Sequence, residues 1–357
     1  LIAGPFGAVF FGHIGDRKGR KVTMYASLLM MGISTSIIGI LPPAASAGVG
    51  VVIVLQLMRL AQCFGRGGTW GGGILMAYEN VPENKRSFYA AIPQIGLPIG
   101  FGLSSILIAV PTLLLPEDIF FTWGWRIPFL AAIILTVIVI RQKGEMMETE
   151  DYKKAQAKLE AEEAEGKKHK VGFIPMVKGY WKTLLLGCGT RWVDGTFYNI
   201  FIVWILSYCI NWLGMPLIQT YIITIIACIF KIPFTLFGGW CAQKLGNTRT
   251  FVIGALASAV LSIPTLKVIE LSKGNLAITI IGIVLGWSIA YNLIWAVISS
   301  LWSSYFETEV RYSGISFVYH VPSFLVAGMV PTICTLLINY GKGDTIYVGI
   351  YSTVVAL

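Results

Sequence analysis

GHIGDRKGRK, residues 12–21, is a compact basic turn punctuated by glycines between two apolar runs, and GWCAQKLG at 239–246 echoes it. Both end glycines are kept and a basic residue recurs, Arg17 in the first copy and Lys244 in the second, at an offset of 227. A second pair, ENVPENKR at 79–86 and SYFETEVR at 304–311, stands at an offset of 225. Two aligned pairs at nearly one offset indicate internal duplication. Outward from these loops lie apolar runs of membrane-spanning length, since about 20 residues at 1.5 Å rise cross a hydrocarbon core of about 30 Å. Four fall in the first copy, at 22–41, 49–78, 88–115 and 125–140, and five in the second, at 184–212, 217–241, 251–269, 276–305 and 313–339. Two further stretches, 1–12 and 346–357, are apolar but half as long. Two spans precede the loop in the second copy and only twelve residues in the first. The expectation is therefore a twelve-helix protein whose first helix and part of the second are missing here and whose last helix is incomplete.

Composition agrees. Of 357 residues, 55% are hydrophobic and 13% charged, and the mean hydropathy is +0.73, whereas soluble domains are about a quarter charged. This makes an integral membrane protein and excludes soluble enzymes and nucleic-acid binders. The net charge of +9 is a topology signal: nineteen of the 27 basic residues fall in loops on one side and four on the other. Lys and Arg are retained on the cytoplasmic face, so the loops at 13–21, 79–87, 142–182, 242–250 and 305–312 are expected there, in a multi-pass protein of the plasma membrane. The insert 142–182 has an Ala/Glu/Lys core of high helix propensity without an apolar face. It is expected to be a solvated cytoplasmic linker between two helical halves, 1–141 and 183–357. The six cysteines lack metal-ligand spacing and sit mostly in apolar stretches. They are read as small apolar fillers, and no metal, cofactor or nucleophile constellation is expected.

The same residues resemble the major facilitator superfamily. GHIGDRKGRK is similar to the superfamily's loop after its second helix, RLAQCFGRGGTWGGG (59–73) to its fourth helix, and WGWRIPF (123–129) to the start of its sixth in the metabolite:proton symporter family, with its shikimate, α-ketoglutarate and proline-betaine type permeases. The resemblance implies an all-α fold of two pseudo-symmetric six-helix bundles. It also implies proton-coupled symport of a small metabolite by alternating access. The family usually carries an acid where Thr69 stands, and the second loop copy has Gln243 in place of Asp16. An uncoupled facilitator or exchanger of the same substrates, and a membrane receptor that senses a metabolite without moving it, are the alternative readings.

Charged residues inside spans cost free energy and face a cavity or a partner. Arg59, Gln62, Arg66 and Thr69 recur at helical spacing and form a polar stripe. Two guanidiniums on one face suit a carboxylate, which points to a small organic acid or zwitterion as substrate. Arg191 and Asp194 are helical neighbours three apart, and Tyr198, Asn199, Tyr291 and Asn292 offer uncharged hydrogen bonds. Asp194 and His320 are the candidates for proton coupling, and Lys231 is a further ionisable group within a span. Gly12, Asp16, Arg17, Gly19, Arg20 and Lys21 lie where two helices meet the loop. The Asp16 carboxylate there is expected to accept from the helix start at Ser313, with Glu79, Arg86 and Arg311 completing a gating cluster. Glycines 65, 67, 68, 71, 72 and 73, with 96, 100 and 102, are read as close-packing positions. Partners are then a small-molecule substrate, protons and the bilayer, with no nucleic acid, and the protein is expected to act as a monomer.

Overall fold

The computed structural model describes residues 3–43, 48–142, 148–164 and 173–357. The remainder of the insert, 143–147 and 165–172, lies outside them. Its helices are α1 (Ala3–Lys18), α2 (Arg20–Ile40), α3 (Val49–Glu79), α4 (Glu83–Leu114), α5 (Gly124–Arg141), α6 (Glu150–Ala164), α7 (Met176–Asn211), α8 (Leu217–Leu245), α9 (Asn247–Leu271), α10 (Leu276–Ser303), α11 (Arg311–Tyr340) and α12 (Ile346–Ala356). Among the described residues no strand occurs, and nine helices, α2–α5 and α7–α11, are long and apolar enough to cross a bilayer.

Two compact units are built from interleaved segments. The first comprises Leu1–Asn80, Leu107–Leu186 and Ser303–Phe324; the second comprises Val81–Ile106, Gly187–Trp302 and Leu325–Leu357. In the first, α1 crosses α3 in backbone contact. A Cβ on Gly67 would lie 2.3 Å from the Ala8 nitrogen and one on Gly7 would lie 2.0 Å from the Phe64 carbonyl oxygen, so no side chain fits at the crossing. Gly73, Gly96 and Gly100 instead face open space, which corrects their reading as packing positions. In the second unit the core is aromatic and fully buried around Trp287, Tyr291 and Trp295.

Several spans depart from regular helix. α4 tightens to a 3-10 turn at Pro93–Ile95, because Pro93 cannot donate to the ladder. α7 and α10 carry π-helical stretches at Asn199–Trp204 and Val284–Ala290, a feature that recurs at functional sites. The duplicated loops also share backbone geometry. Gly19 joins α1 to α2 at φ 100°, ψ 160°, and Gly246 joins α8 to α9 at φ 92°, ψ 153°. These one-residue joints occupy a region open to glycine alone, so the two copies fold alike where their sequences match.

Candidate functional site

The first unit holds the loop cluster at one end of its spans. Asp16, in the last turn of α1, is buried, and its carboxylate accepts from the backbone N–H groups of Tyr312 (3.1 Å) and Ser313 (3.0 Å). These belong to the first turn of α11, where N–H groups have no partner within the helix. The expected partner of Asp16 is thus the observed one. Burial pushes the Asp16 carboxyl up to about 6, outweighing the opposing pull of Arg20 at 3.8 Å and of the N–H donors. The duplicate in the second unit repeats the contact without charge: Gln243 accepts from the N–H of Phe88 at 3.3 Å and donates to the Asn84 carbonyl.

Glu79 gathers the cations. Arg20 donates to both of its oxygens (3.2 and 3.4 Å), Arg311 to Oε1 (2.9 Å) and the Thr149 hydroxyl to Oε2 (2.6 Å). Arg20 is fully buried and also donates to the carbonyls of Gly15 and Thr308. Arg86, expected in this cluster, pairs with Glu83 and donates to the Val81 carbonyl in the second unit. Gly12 approaches Ser313, where a Cβ would come within 3.0 Å of its Cα.

The start of the insert docks here, which its composition did not reveal. The Glu148 carboxylate accepts from the N–H groups of Arg20 (2.9 Å) and Lys21 (3.2 Å), supplying α2 with an N-terminal anion. A Cβ on Gly19 would strike that carboxylate. Asp151 lies 3.7 Å from Arg311, the Tyr152 hydroxyl donates to the Arg17 carbonyl, and Arg20 sits over the Tyr152 ring at 4.7 Å.

Within the spans of the second unit lies a buried polar network. Asp194 on α7 is fully buried, pairs with Arg191 and accepts from the Tyr291 hydroxyl at 2.6 Å. The Tyr291 ring lies 4.5 Å from the ammonium of Lys231, which is fully buried at the middle of α8 and donates to Asn292 Oδ1 at 2.9 Å. Asn292 returns a bond to the Lys231 carbonyl (2.9 Å) and another to Thr235 (3.1 Å). Four expected residues, Arg191, Asp194, Tyr291 and Asn292, therefore converge, joined by Lys231. A lone lysine central in an apolar span was the available signal, but its aromatic surroundings come from a helix over 50 residues away. Asn199 bonds its own helix at the Gly195 carbonyl, and Tyr198 packs against Phe101.

The α3 stripe in the first unit is mixed. Gln62 donates to Thr35 at 2.7 Å, and the Thr69 hydroxyl reaches Met31 Sδ and the Arg66 carbonyl. Arg66 is exposed, and so is Arg59, at the edge of an apolar cavity of about 280 Å³ with Leu41, Trp125 and Phe129. His320, also in the first unit, is buried edge-on to Tyr319, which stacks on Trp70 at 4.1 Å. The two proton-coupling candidates thus belong to different units.

A family model described as the Major Facilitator Superfamily matches residues 1–338. The chain is 33% identical over 362 residues to the inner membrane metabolite transport protein YhjE of Escherichia coli, covering all of this chain and 79% of that protein. It is 30% identical to the shikimate transporter of Escherichia coli (97% of this chain, 78% of that one). With the proline/betaine transporter of Salmonella typhimurium it shares 28% identity (99% and 70%). Among solved structures, the proton:xylose symporter XylE bound to 6-bromo-6-deoxy-D-glucose superposes with a TM-score of 0.75 at 18% identity, covering all of this chain and 82% of that one.

Proposed function

Since the chain belongs to the Major Facilitator Superfamily and is a multi-pass transporter of metabolites, we propose that it is a proton-coupled symporter of a small organic acid or zwitterion, working by alternating access in the plasma membrane. The observation that carries this reading is the buried Asp194, held by Arg191 and the Tyr291 hydroxyl within a span. A buried carboxylate beside a guanidinium changes its proton affinity when a substrate anion competes for that guanidinium. The neighbouring π-helical turns Asn199–Trp204 and Val284–Ala290 supply backbone that can reset without unfolding a helix. Asp16, Arg20, Glu79 and Arg311 serve as the cytoplasmic gate in this reading, because contacts between a loop and a helix start exist in one conformation and not in the other.

The chemistry of the relatives fits. Shikimate is a carboxylate and betaine a zwitterion, and the exposed Arg59 and Arg66 give either a cationic approach. One observation favours the uncoupled alternative: Thr69 is neutral and satisfied by Met31 and Arg66, leaving no titratable group at that position. Uptake of labelled shikimate and betaine into proteoliposomes, with and without an imposed inward proton gradient, separates the readings. Accumulation above equilibrium only with the gradient is expected. Equilibration without accumulation would support the facilitator, and binding without flux would support a receptor. Arg59→Ala and Arg66→Ala variants that both leave substrate affinity unchanged would remove the arginine stripe from the site.

A further inference from the structure

Lys231 is the one member of the buried network without an opposite charge. Arg191 and Asp194 neutralise each other. Among the described residues, no carboxylate lies within ion-pair distance of the Lys231 ammonium, although the side chain is fully buried. Its surroundings are nonetheless built for a cation. The faces of Tyr291, Trp287 and Trp295 lie 4.5, 4.6 and 5.9 Å from Nζ, and each ring face is the negative end of a quadrupole. The polar neighbours are oxygens, Asn292 Oδ1 at 2.9 Å and the Trp287 carbonyl at 3.4 Å. The orientation of the Asn292 amide is fixed independently, because its nitrogen donates to the Lys231 carbonyl, which can only accept. The rings and oxygens offset part of what burial costs a positive charge, and among the described residues no anion cancels it, so the site favours the arrival of an anion.

We infer that Lys231 recognises the substrate's carboxylate alongside Arg191, and that the unbalanced positive charge of this network selects a monoanion over a zwitterion. The inference rests on the transport reading above and narrows its substrate class. A monocarboxylate brings the network of Arg191, Asp194 and Lys231 to zero net charge, whereas a zwitterion leaves the imbalance and adds a cation to an aromatic cage already filled by one. The ammonium is sealed in this conformation, and the helix irregularities lie where it would be uncovered. Pro233 interrupts the α8 ladder two residues beyond Lys231, and the π-helical turn of α10 carries Trp287.

The test is equilibrium binding of labelled shikimate and labelled betaine to the purified full chain and to Lys231→Met and Lys231→Arg. Loss of a charge-assisted contact in a buried site predicts shikimate binding weakened roughly 10- to 100-fold in Lys231→Met. The ratio of shikimate to betaine affinity should fall about 10-fold, and Lys231→Arg should recover most of the shikimate affinity. Parallel loss of both ligands in Lys231→Met, leaving that ratio unchanged, would overturn the inference, since both carry a carboxylate and the charge would then select neither. Unchanged shikimate binding in Lys231→Met would overturn it alone, leaving the transport reading intact. Wild-type protein that binds betaine but no shikimate would refute the preference for a monoanion, and wild-type protein that binds neither would sink this inference together with the transport reading for these substrates.

Discussion

Glu79→Gln keeps the shape of the side chain and removes the charge on which two buried guanidiniums converge. Arg20 has almost no water to turn to, and Arg311 is mostly buried. Breaking a buried pair by neutralising one partner costs about 3–5 kcal/mol, because the other charge is left uncompensated. The amide oxygen still accepts one bond, so about 3 kcal/mol is expected, equivalent to a roughly 150-fold shift of the local opening equilibrium. Asp151→Asn is the internal control. Asp151 lies 3.7 Å from Arg311, beyond hydrogen-bond reach, and keeps some exposure, so losing that contact should cost about 1 kcal/mol. Hydrogen exchange at the amides of Arg20, Lys21, Tyr312 and Ser313 reads the difference, since Glu148 and Asp16 protect these groups. Exchange in Glu79→Gln should accelerate by about two orders of magnitude and in Asp151→Asn by less than about fivefold. Equal acceleration in the two variants, or none in Glu79→Gln, would refute the assignment of Glu79 as the charge that holds the cluster.

Other consequences are open to simpler measurements. Gly67→Val places a side chain against the Ala8 backbone nitrogen at the α1–α3 crossing, whereas Gly73→Ala enters open space. The first should lower the melting temperature in detergent by several degrees or abolish folding, and the second should leave it unchanged. Tyr291→Phe removes the hydroxyl that donates to Asp194, so the pH profile of uptake should move while a protein that still folds keeps its substrate affinity within a fewfold. Asp16 gives a pH dependence of definite sign. Its pKa is raised here from 3.8 to about 6, so this arrangement binds the proton more tightly than one with Asp16 in water. That stabilisation is full below about pH 4 and is lost as pH rises through about 6. After correction for intrinsic exchange rates, protection at Tyr312 and Ser313 should therefore be greater at pH 5 than at pH 7.5, and Asp16→Asn should flatten the difference.

The spans were legible because apolar run length is a direct physical requirement of the bilayer, and among the described residues the nine runs reappear as nine helices. The contact from Asp16 to the start of α11 was legible for another reason: a duplicated loop with fixed glycines admits few geometries, and Gly19 and Gly246 adopt nearly the same one. The cluster was read less well. Arg86 and Arg311 are duplicates in sequence, yet Arg311 reaches Glu79 while Arg86 pairs with Glu83, a choice made by tertiary placement. The docking of Glu148 and Thr149 left no trace in periodicity, because polar contacts to backbone N–H groups require no apolar face. Lys231 was visible as a residue but its meaning was not, since Trp287, Tyr291 and Trp295 gather around it from α10.

The position of the docked segment also governs how this chain can be divided into two co-expressed pieces. Thr149 and Glu148 bind groups on the first piece, Glu79, Arg20 and Lys21, while Arg311 comes from the second and meets Glu79 and Asp151. A break between residues 164 and 173 keeps 148–152 tethered beside its receptor, so the first fragment presents a preassembled acidic socket for Arg311. A break at residue 142 hands the same five residues to the other fragment, where they become part of what must be captured. Complementation efficiency should thus depend on which side of α6 the chain is cut, although both breaks fall in the same insert and neither touches a membrane span.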